Sequence, residues 1–151
     1  MKKVFIYYSY TGNGNIVADK IKEKDIDLRP STPKKPLPKS FLGGMLAGGF
    51  LAGIKAKTPL LDFDSDISAY DEVIIGSPIW NARVASPINT VLDTLKGTDK
   101  KISFIFYAGS GTGKKAAKRI NKEFPDAKVL FLQEPKKYPD ELNKIDEFIK
   151  D

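Results

Sequence analysis

The chain contains no cysteine and no histidine among its 151 residues. The first absence excludes disulfides, thiolate metal sites and cysteine-held iron–sulfur clusters. The second removes the commonest general base and metal ligand near neutral pH. Chemistry is left to carboxylates, hydroxyls and backbone amides, or to a bound cofactor that brings its own. Tryptophan occurs once, at Trp80. The uncharged stretch "FLGGMLAGGFLAGI", residues 41–54, covers fourteen positions, short of the roughly 20 that a membrane helix needs. Met1-Lys2-Lys3-Val4-Phe5 lacks the apolar region and small-residue cleavage site of a signal peptide, so a cytoplasmic location is expected.

Hydrophobic content of 41% and charged content of 29% are ordinary for a soluble globular protein. The length suits one domain over residues 1–151 with a proper core. The formal charge is +6, from 25 Lys and Arg against 19 Asp and Glu. Lysines are scattered in pairs (Lys34-Lys35, Lys100-Lys101, Lys114-Lys115, Lys136-Lys137) without an aromatic-studded basic stripe, which argues against a nucleic-acid partner.

Apolar, β-rich runs lie at Val4–Tyr8, Val73–Ile75, Ile102–Tyr107 and Val129–Leu132, with a weaker one at Ile26–Leu28. Between them Ile88, Val91, Leu92 and Leu95 are spaced to share one face of a helix. Ala116, Ala117, Ile120 and Phe124 repeat that spacing, as do Leu142, Ile145, Phe148 and Ile149, and Ile16, Val17 and Ile21 mark a first helix. Strands alternating with helices predict an α/β fold, a parallel sheet covered on both faces. Residues 30–40, "PSTPKKPLPKS", predict an extended surface loop. Residues 41–54 are expected to pack on the sheet, because an apolar run is usually buried. Their Gly44/Gly48 and Gly49/Gly53 spacings match close helix packing, and a lid or partner-docking surface is the alternative.

In open parallel sheets, ligands bind outside the carboxyl ends of the strands, where strand order reverses. The first such loop is Ser9-Tyr10-Thr11-Gly12-Asn13-Gly14-Asn15. Hydroxyls and free amides opening a helix suit an anion such as phosphate. They equally suit a capped turn, with Asn13 as the cap. The second loop, Gly76-Ser77-Pro78-Ile79-Trp80-Asn81-Ala82, offers a large aromatic surface. The third, Ala108-Gly109-Ser110-Gly111-Thr112-Gly113, offers backbone donors, while Tyr107 reads as an end-of-strand core residue.

These loops resemble those of the flavodoxin-like family. "YYSYTGNGNIVADKI" is similar to its phosphate-loop pattern Ser/Thr-x-Thr-Gly-x-Thr at Ser9, Thr11, Gly12 and Asn13. "YDEVIIGSPIWNARVASPINTVLD" is similar to its Gly-Ser/Thr-Pro-x-Trp loop, and "FIFYAGSGTGKKAAKRI" to its third flavin loop. "PLPKSFLGGMLAGGFLAGIKAKTPLLDFD" resembles an insert in a subgroup of short members. The resemblance spans essentially the whole chain. It implies a three-layer sandwich with a five-stranded parallel sheet in the order 2-1-3-4-5.

It also implies FMN as cofactor. Ser9, Tyr10, Thr11, Gly12, Asn13, Gly14 and Asn15 would hold the phosphate. Ser77, Pro78, Ile79, Trp80, Asn81 and Ala82, with Ala108, Gly109, Ser110 and Gly111, would surround the ring. One position departs: the pattern's final Thr is Gly14, so a phosphate-binding hydroxyl is missing. A hydrogen bond to a charged group contributes about 1.5–3 kcal/mol, so FMN should bind tenfold or more weakly unless Asn15 or backbone amides compensate. No catalytic side chain and no metal are required. The implied function is electron transfer between protein partners, with an acidic patch on the partner given the positive charge. Familiar flavodoxins are acidic, and that acidity disfavours the reduced anionic flavin, so +6 predicts a raised potential. The alternatives are an NAD(P)H-dependent quinone or flavin reductase of the same fold, and an adaptor module with weak or no flavin.

Overall fold

The computed structural model describes residues 1–38, 40, 43, 46–47, 49–51, 54 and 56–150. The order is β1 (Lys3–Tyr7), α1 (Asn13–Lys22), β2 (Asp27–Pro30), β3 (Glu72–Trp80), β4 (Arg83–Val84), α2 (Ser86–Thr94), β5 (Lys101–Ala108), α3 (Lys114–Glu123) and β6 (Lys128–Gln133). A 3₁₀ turn over Pro139–Leu142 then leads into α4 (Asn143–Phe148).

β1, β2, β3, β5 and β6 pair in parallel in the order β2-β1-β3-β5-β6, which is the expected five-stranded core. β4 is an addition, a two-residue strand antiparallel to the end of β3 with Ile79 opposite Val84 and Trp80 opposite Arg83. Asn81 and Ala82 form the connection with φ of 49° and 60°, both positive as a type I′ hairpin requires.

The sheet is covered on both faces because successive side chains point to opposite sides. Val4, Ile6, Val73, Ile75, Phe104 and Phe106 pack with Ile88, Val91, Leu92 and Leu95 around α2 and Ala116 and Ile120 of α3. Phe5, Ile74, Ile105 and Tyr107 pack with Val17, Ala18 and Ile21 of α1 and Ile145 of α4. The helical spacings in the sequence thus fall on the buried faces. At the opposite end of the sheet from the loops, Glu72 is buried, accepts from the Ser103 hydroxyl and lies 3.2 Å from Lys3 Nζ.

Boundaries differ where tertiary pairing decides them. β2 runs to Pro30 rather than ending at Leu28; as an edge strand it tolerates a proline. β3 continues through Gly76, Ser77, Pro78, Ile79 and Trp80, all expected in a loop, because Gly76–Pro78 pair with β5 and Ile79–Trp80 with β4. The proline-rich 30–40 stretch is tied to residues 59–61: Pro33 bridges Leu60, and the Lys34 and Leu61 amides donate to the Pro59 and Thr32 carbonyls.

The expectation that residues 41–54 bury their apolar side chains is corrected at three of the described positions, while Ala47 and Leu51 are half-buried and Phe41, Leu42, Met45 and Ala52 lie outside the described residues. Leu46, Phe50 and Ile54 are 64%, 66% and 60% exposed. Gly43, Leu46, Ala47 and Gly49–Leu51 are helical, and helical spacing puts 46, 50 and 54 on one outward row. Gly44, Gly48 and Gly53, on which the close-packing pattern rests, lie outside the described residues. No helix among the described residues is long and apolar enough to cross a membrane.

Candidate flavin site

The chain winds from β1 outward to β2, then returns to β3 and continues the other way through β5 and β6. Strand order therefore reverses between β1 and β3, and the crevice outside their carboxyl ends is the place for a ligand. The three glycine-bearing segments all reach this end.

Residues 9–15 turn sharply into α1. Gly12 precedes the helix with φ of 101°, a left-handed conformation that favours glycine, and as the N-cap residue it makes no side-chain cap bond. Asn13 is the first helical residue instead of the cap. Its side-chain amide donates to Thr11 Oγ1 at 3.2 Å, and its Oδ1 accepts from the Lys136 amide at 2.9 Å. Ser9 Oγ accepts from the Asn15 amide at 3.2 Å. The Asn13 and Gly14 amides meet no protein acceptor among the described residues. The expectation that Asn13 caps the helix is thus corrected. Gly12 itself offers no side-chain cap, the Ser9 hydroxyl takes up the Asn15 amide, and the Asn13 and Gly14 amides at the positive end of the helix dipole are left without a protein acceptor among the described residues.

The departure at Gly14 has a steric reason. A Cβ there would stand 2.6 Å from Tyr107 Oη, 2.7 Å from the Tyr8 carbonyl and 2.8 Å from Ser9 Cβ. The Tyr107 phenol, buried at the end of β5, donates to that same Tyr8 carbonyl. It occupies the space that a threonine at 14 would fill. Asn15 is exposed and its amide is held by Ser9, so Lys136 is the nearer source of compensation. Lys136 Nζ is 3.4 Å from the Thr11 carbonyl and would be 3.6 Å from a Cβ on Gly12.

Trp80 sits half-buried at the tip of β3. The Tyr8 and Tyr10 rings meet it edge-on, with centroids 5.6 and 5.9 Å away. Tyr10 is anchored in turn by its hydroxyl, which donates to the Pro38 carbonyl. Burial and the neighbouring Tyr10 push the Tyr8 phenol up to about 12, so it stays protonated. Ser77 lies below this surface, its Oγ accepting from the Ala85 amide at 3.2 Å and donating to the Pro78 carbonyl. It is buried and supports the hairpin.

The third segment follows Ala108, the last residue of β5. Gly109 and Ser110 are exposed, and Gly111 turns the chain with φ of 69°. Ser110 and Thr112 hydroxyls are 3.1 Å apart. The Ala116 amide donates to the Ala82 carbonyl at 2.9 Å, tying α3 to the hairpin. Ile79, Ala82, Ala108, Gly109, Ser110, Thr112, Gly113, Lys114 and Lys115 line one cavity of about 420 Å³.

The geometry therefore joins segment one to two through the Tyr8–Trp80–Tyr10 cluster and segment two to three through that cavity. Tyr107 links one to three. Sequence reasoning missed the loop after β6, where Lys136 and Lys137 line a second cavity of about 340 Å³ with Thr11, Asn13 and Glu134. The rule about carboxyl ends of strands, applied to the fifth strand as well, points to it.

The sequence model of the flavodoxin family matches residues 2–136. The chain belongs to the flavodoxin family. A flavoprotein from Lactobacillus acidophilus, solved in complex with FMN, superposes with a TM-score of 0.72 at 22% identity, covering 92% of this chain and 97% of that one. A candidate flavoprotein from Bacteroides eggerthii gives 0.70 at 23% identity, covering 99% of both. An NADPH-quinone reductase from P. pentosaceus gives 0.56 at 10% identity over 100% of this flavodoxin and 99% of its own chain. At such identities the likeness is one of fold. A comparison with curated proteins finds none that matches.

Proposed function

We propose that this flavodoxin binds FMN at the β1/β3 switch point and passes electrons between protein partners. The observation that carries the reading is the convergence there of unpaired first-turn amides, the Lys136 ammonium and the Trp80 surface. A phosphate suits the amides and the cation; a planar ring suits Trp80 and the glycine-bearing cavity beside it.

Ser9, Tyr10, Thr11, Gly12, Asn13, Gly14 and Asn15 would hold the phosphate, with Lys136 supplying charge in place of the hydroxyl missing at 14. Ser77–Ala82 and Ala108–Gly111 would border the ring, Ser77 by supporting the hairpin from beneath. FMN, when bound, supplies the electron-transfer chemistry. The protein's part is to orient the ring, keep Tyr8 and Tyr107 neutral beneath it and present positive charge around it. That charge favours a reduced, anionic flavin and an acidic partner surface. The cytoplasm is the proposed compartment.

A visible spectrum of the purified protein, with FMN titration followed by Trp80 fluorescence, tests the reading. A flavin spectrum and saturable quenching are expected. A colourless protein with no quenching at tens of micromolar FMN would instead support an adaptor. Rapid NADPH oxidation with a quinone acceptor would move the flavodoxin to the reductases.

A further inference from the structure

Beside the proposed flavin site lies a groove of about 310 Å³ between the β3–β4 hairpin and α3. Its charged lining is Arg83, Lys115, Lys118, Arg119 and Lys122 against a single carboxylate, Glu123. Glu123 is held by Arg119 Nε at 2.9 Å, and Arg119 also donates to Asn89 Oδ1. Lys115, Lys118 and Lys122 form no ion pair among the described residues. On other faces several lysines are paired: Lys20 and Lys24 meet Asp146, Lys57 and Lys96 meet Asp93, and Lys144 meets Glu141. Other lysines, Lys34, Lys35, Lys136 and Lys137 among them, also lack an ion pair among the described residues, but in the groove three such lysines and Arg83 line one concave surface with a single carboxylate.

Positions 115, 118, 119 and 122 recur every three or four residues, so they form a row about 10 Å long down α3. Arg83 faces that row from the hairpin, and buried Val84 and Ala116 form an apolar floor. A single phosphate is best held by donors that converge on one point. A row over an apolar floor suits an extended or helical segment with several carboxylates. The row also begins at the flavin site: Lys115 lines both this groove and the cavity over Ala108–Gly113.

We infer that the Arg83–α3 groove is the docking site for an acidic segment of an electron-transfer protein, seated so that its carboxylates run along Lys115, Lys118 and Lys122. The inference rests on the redox reading above and adds the location and chemistry of the partner. Complementary charge at such a rim raises the association rate and is screened by salt.

The test uses the isotope-labelled full chain, with and without FMN, titrated with a ten-residue glutamate peptide and separately with 2′,5′-ADP. Backbone amide shifts are expected at Val84, Ala116, Lys118 and Lys122, and affinity should fall at least tenfold between 50 and 200 mM salt. The exposed double variant K118E/K122E should lose the peptide by a further tenfold or more while binding FMN as the parent does. Shifts spread equally over Lys34-Lys35 and Lys136-Lys137, or an unaltered double variant, overturn the groove. Tighter binding of 2′,5′-ADP than of the peptide at the same amides makes it a nucleotide site and overturns the protein-partner assignment. Peptide binding without any FMN binding leaves the groove standing and removes the redox reading alone.

Discussion

A Cβ built on Gly14 would stand 2.6 Å from the Tyr107 hydroxyl oxygen, so these two residues share one space beneath the first loop. The family pattern places a threonine at 14; this chain places a phenol from β5 there instead. Restoring the hydroxyl as Gly14→Thr should therefore harm the protein. Overpacking of this kind typically costs about 1–3 kcal/mol, read as a lower urea midpoint. Tyr107→Phe should cost roughly 1–3 kcal/mol by leaving the buried Tyr8 carbonyl without its donor. A Gly14→Thr protein as stable as the parent and tighter for FMN would refute the shared-space explanation.

Lys136 reaches the first loop through both its backbone and its ammonium. Lys136→Gln should weaken FMN by roughly tenfold at low salt, the size expected for losing one hydrogen bond to a charged group. The difference should narrow in high salt, since an exposed charge is screened. Isothermal titration at two ionic strengths checks this, and an equal loss at both would assign Lys136 a packing role only.

Ala82 holds a φ of 60° at the second hairpin position, where glycine bears no Cβ penalty. Ala82→Gly keeps the carbonyl that accepts from Ala116 and should stabilise the fold by about 0.5–1 kcal/mol, after allowing for glycine's greater freedom when unfolded. Thermal unfolding measures it. A lowered melting temperature would mean the Ala82 methyl packs usefully at the cavity.

The phenols set an alkaline limit. Burial raises Tyr8 from 10.0 to about 12, and raises Tyr107 well above 10.0. Both groups bind their proton more tightly folded than unfolded. Both contributions are fully present below about pH 10; that of Tyr8 is lost as pH rises through about 12, and that of Tyr107 as pH rises through its own raised value. In a spectrophotometric tyrosine titration, part of the absorbance rise should coincide with loss of near-ultraviolet circular dichroism. In Tyr107→Phe that late fraction should shrink. A titration completed with the circular dichroism intact would contradict the burial argument.

Much of this was legible in the sequence, for physical reasons that differ by element. The central strands β1, β3 and β5 were visible because both faces are buried, which leaves continuous apolar runs such as Phe104–Tyr107, whereas the edge strand β2, with no buried residue, left only a weak one. The buried helix faces were visible through their spacing. The length of β3 was not, because pairing with β5 and β4 carries it through Gly76 and Pro78, residues that locally signal a turn. The row of Leu46, Phe50 and Ile54 was misjudged because composition says that a stretch is apolar without saying which way it faces. Residues that act through long-range contacts stayed hidden: Lys136 meets Asn13 across 123 positions, and Tyr107 meets Tyr8 across 99. Nothing local marks either pair.

The central claim is that residues 9–15 form a phosphate cradle, and comparing FMN with riboflavin tests it most directly. Both carry the same ring and differ in the phosphate. Fluorescence titration of the apoprotein should give FMN at least a hundredfold tighter than riboflavin, as about 3 kcal/mol from charged hydrogen bonds implies. Equal affinities would mean that the loop does not hold a phosphate, and that any flavin is held by Trp80 and the glycine-bearing cavity alone.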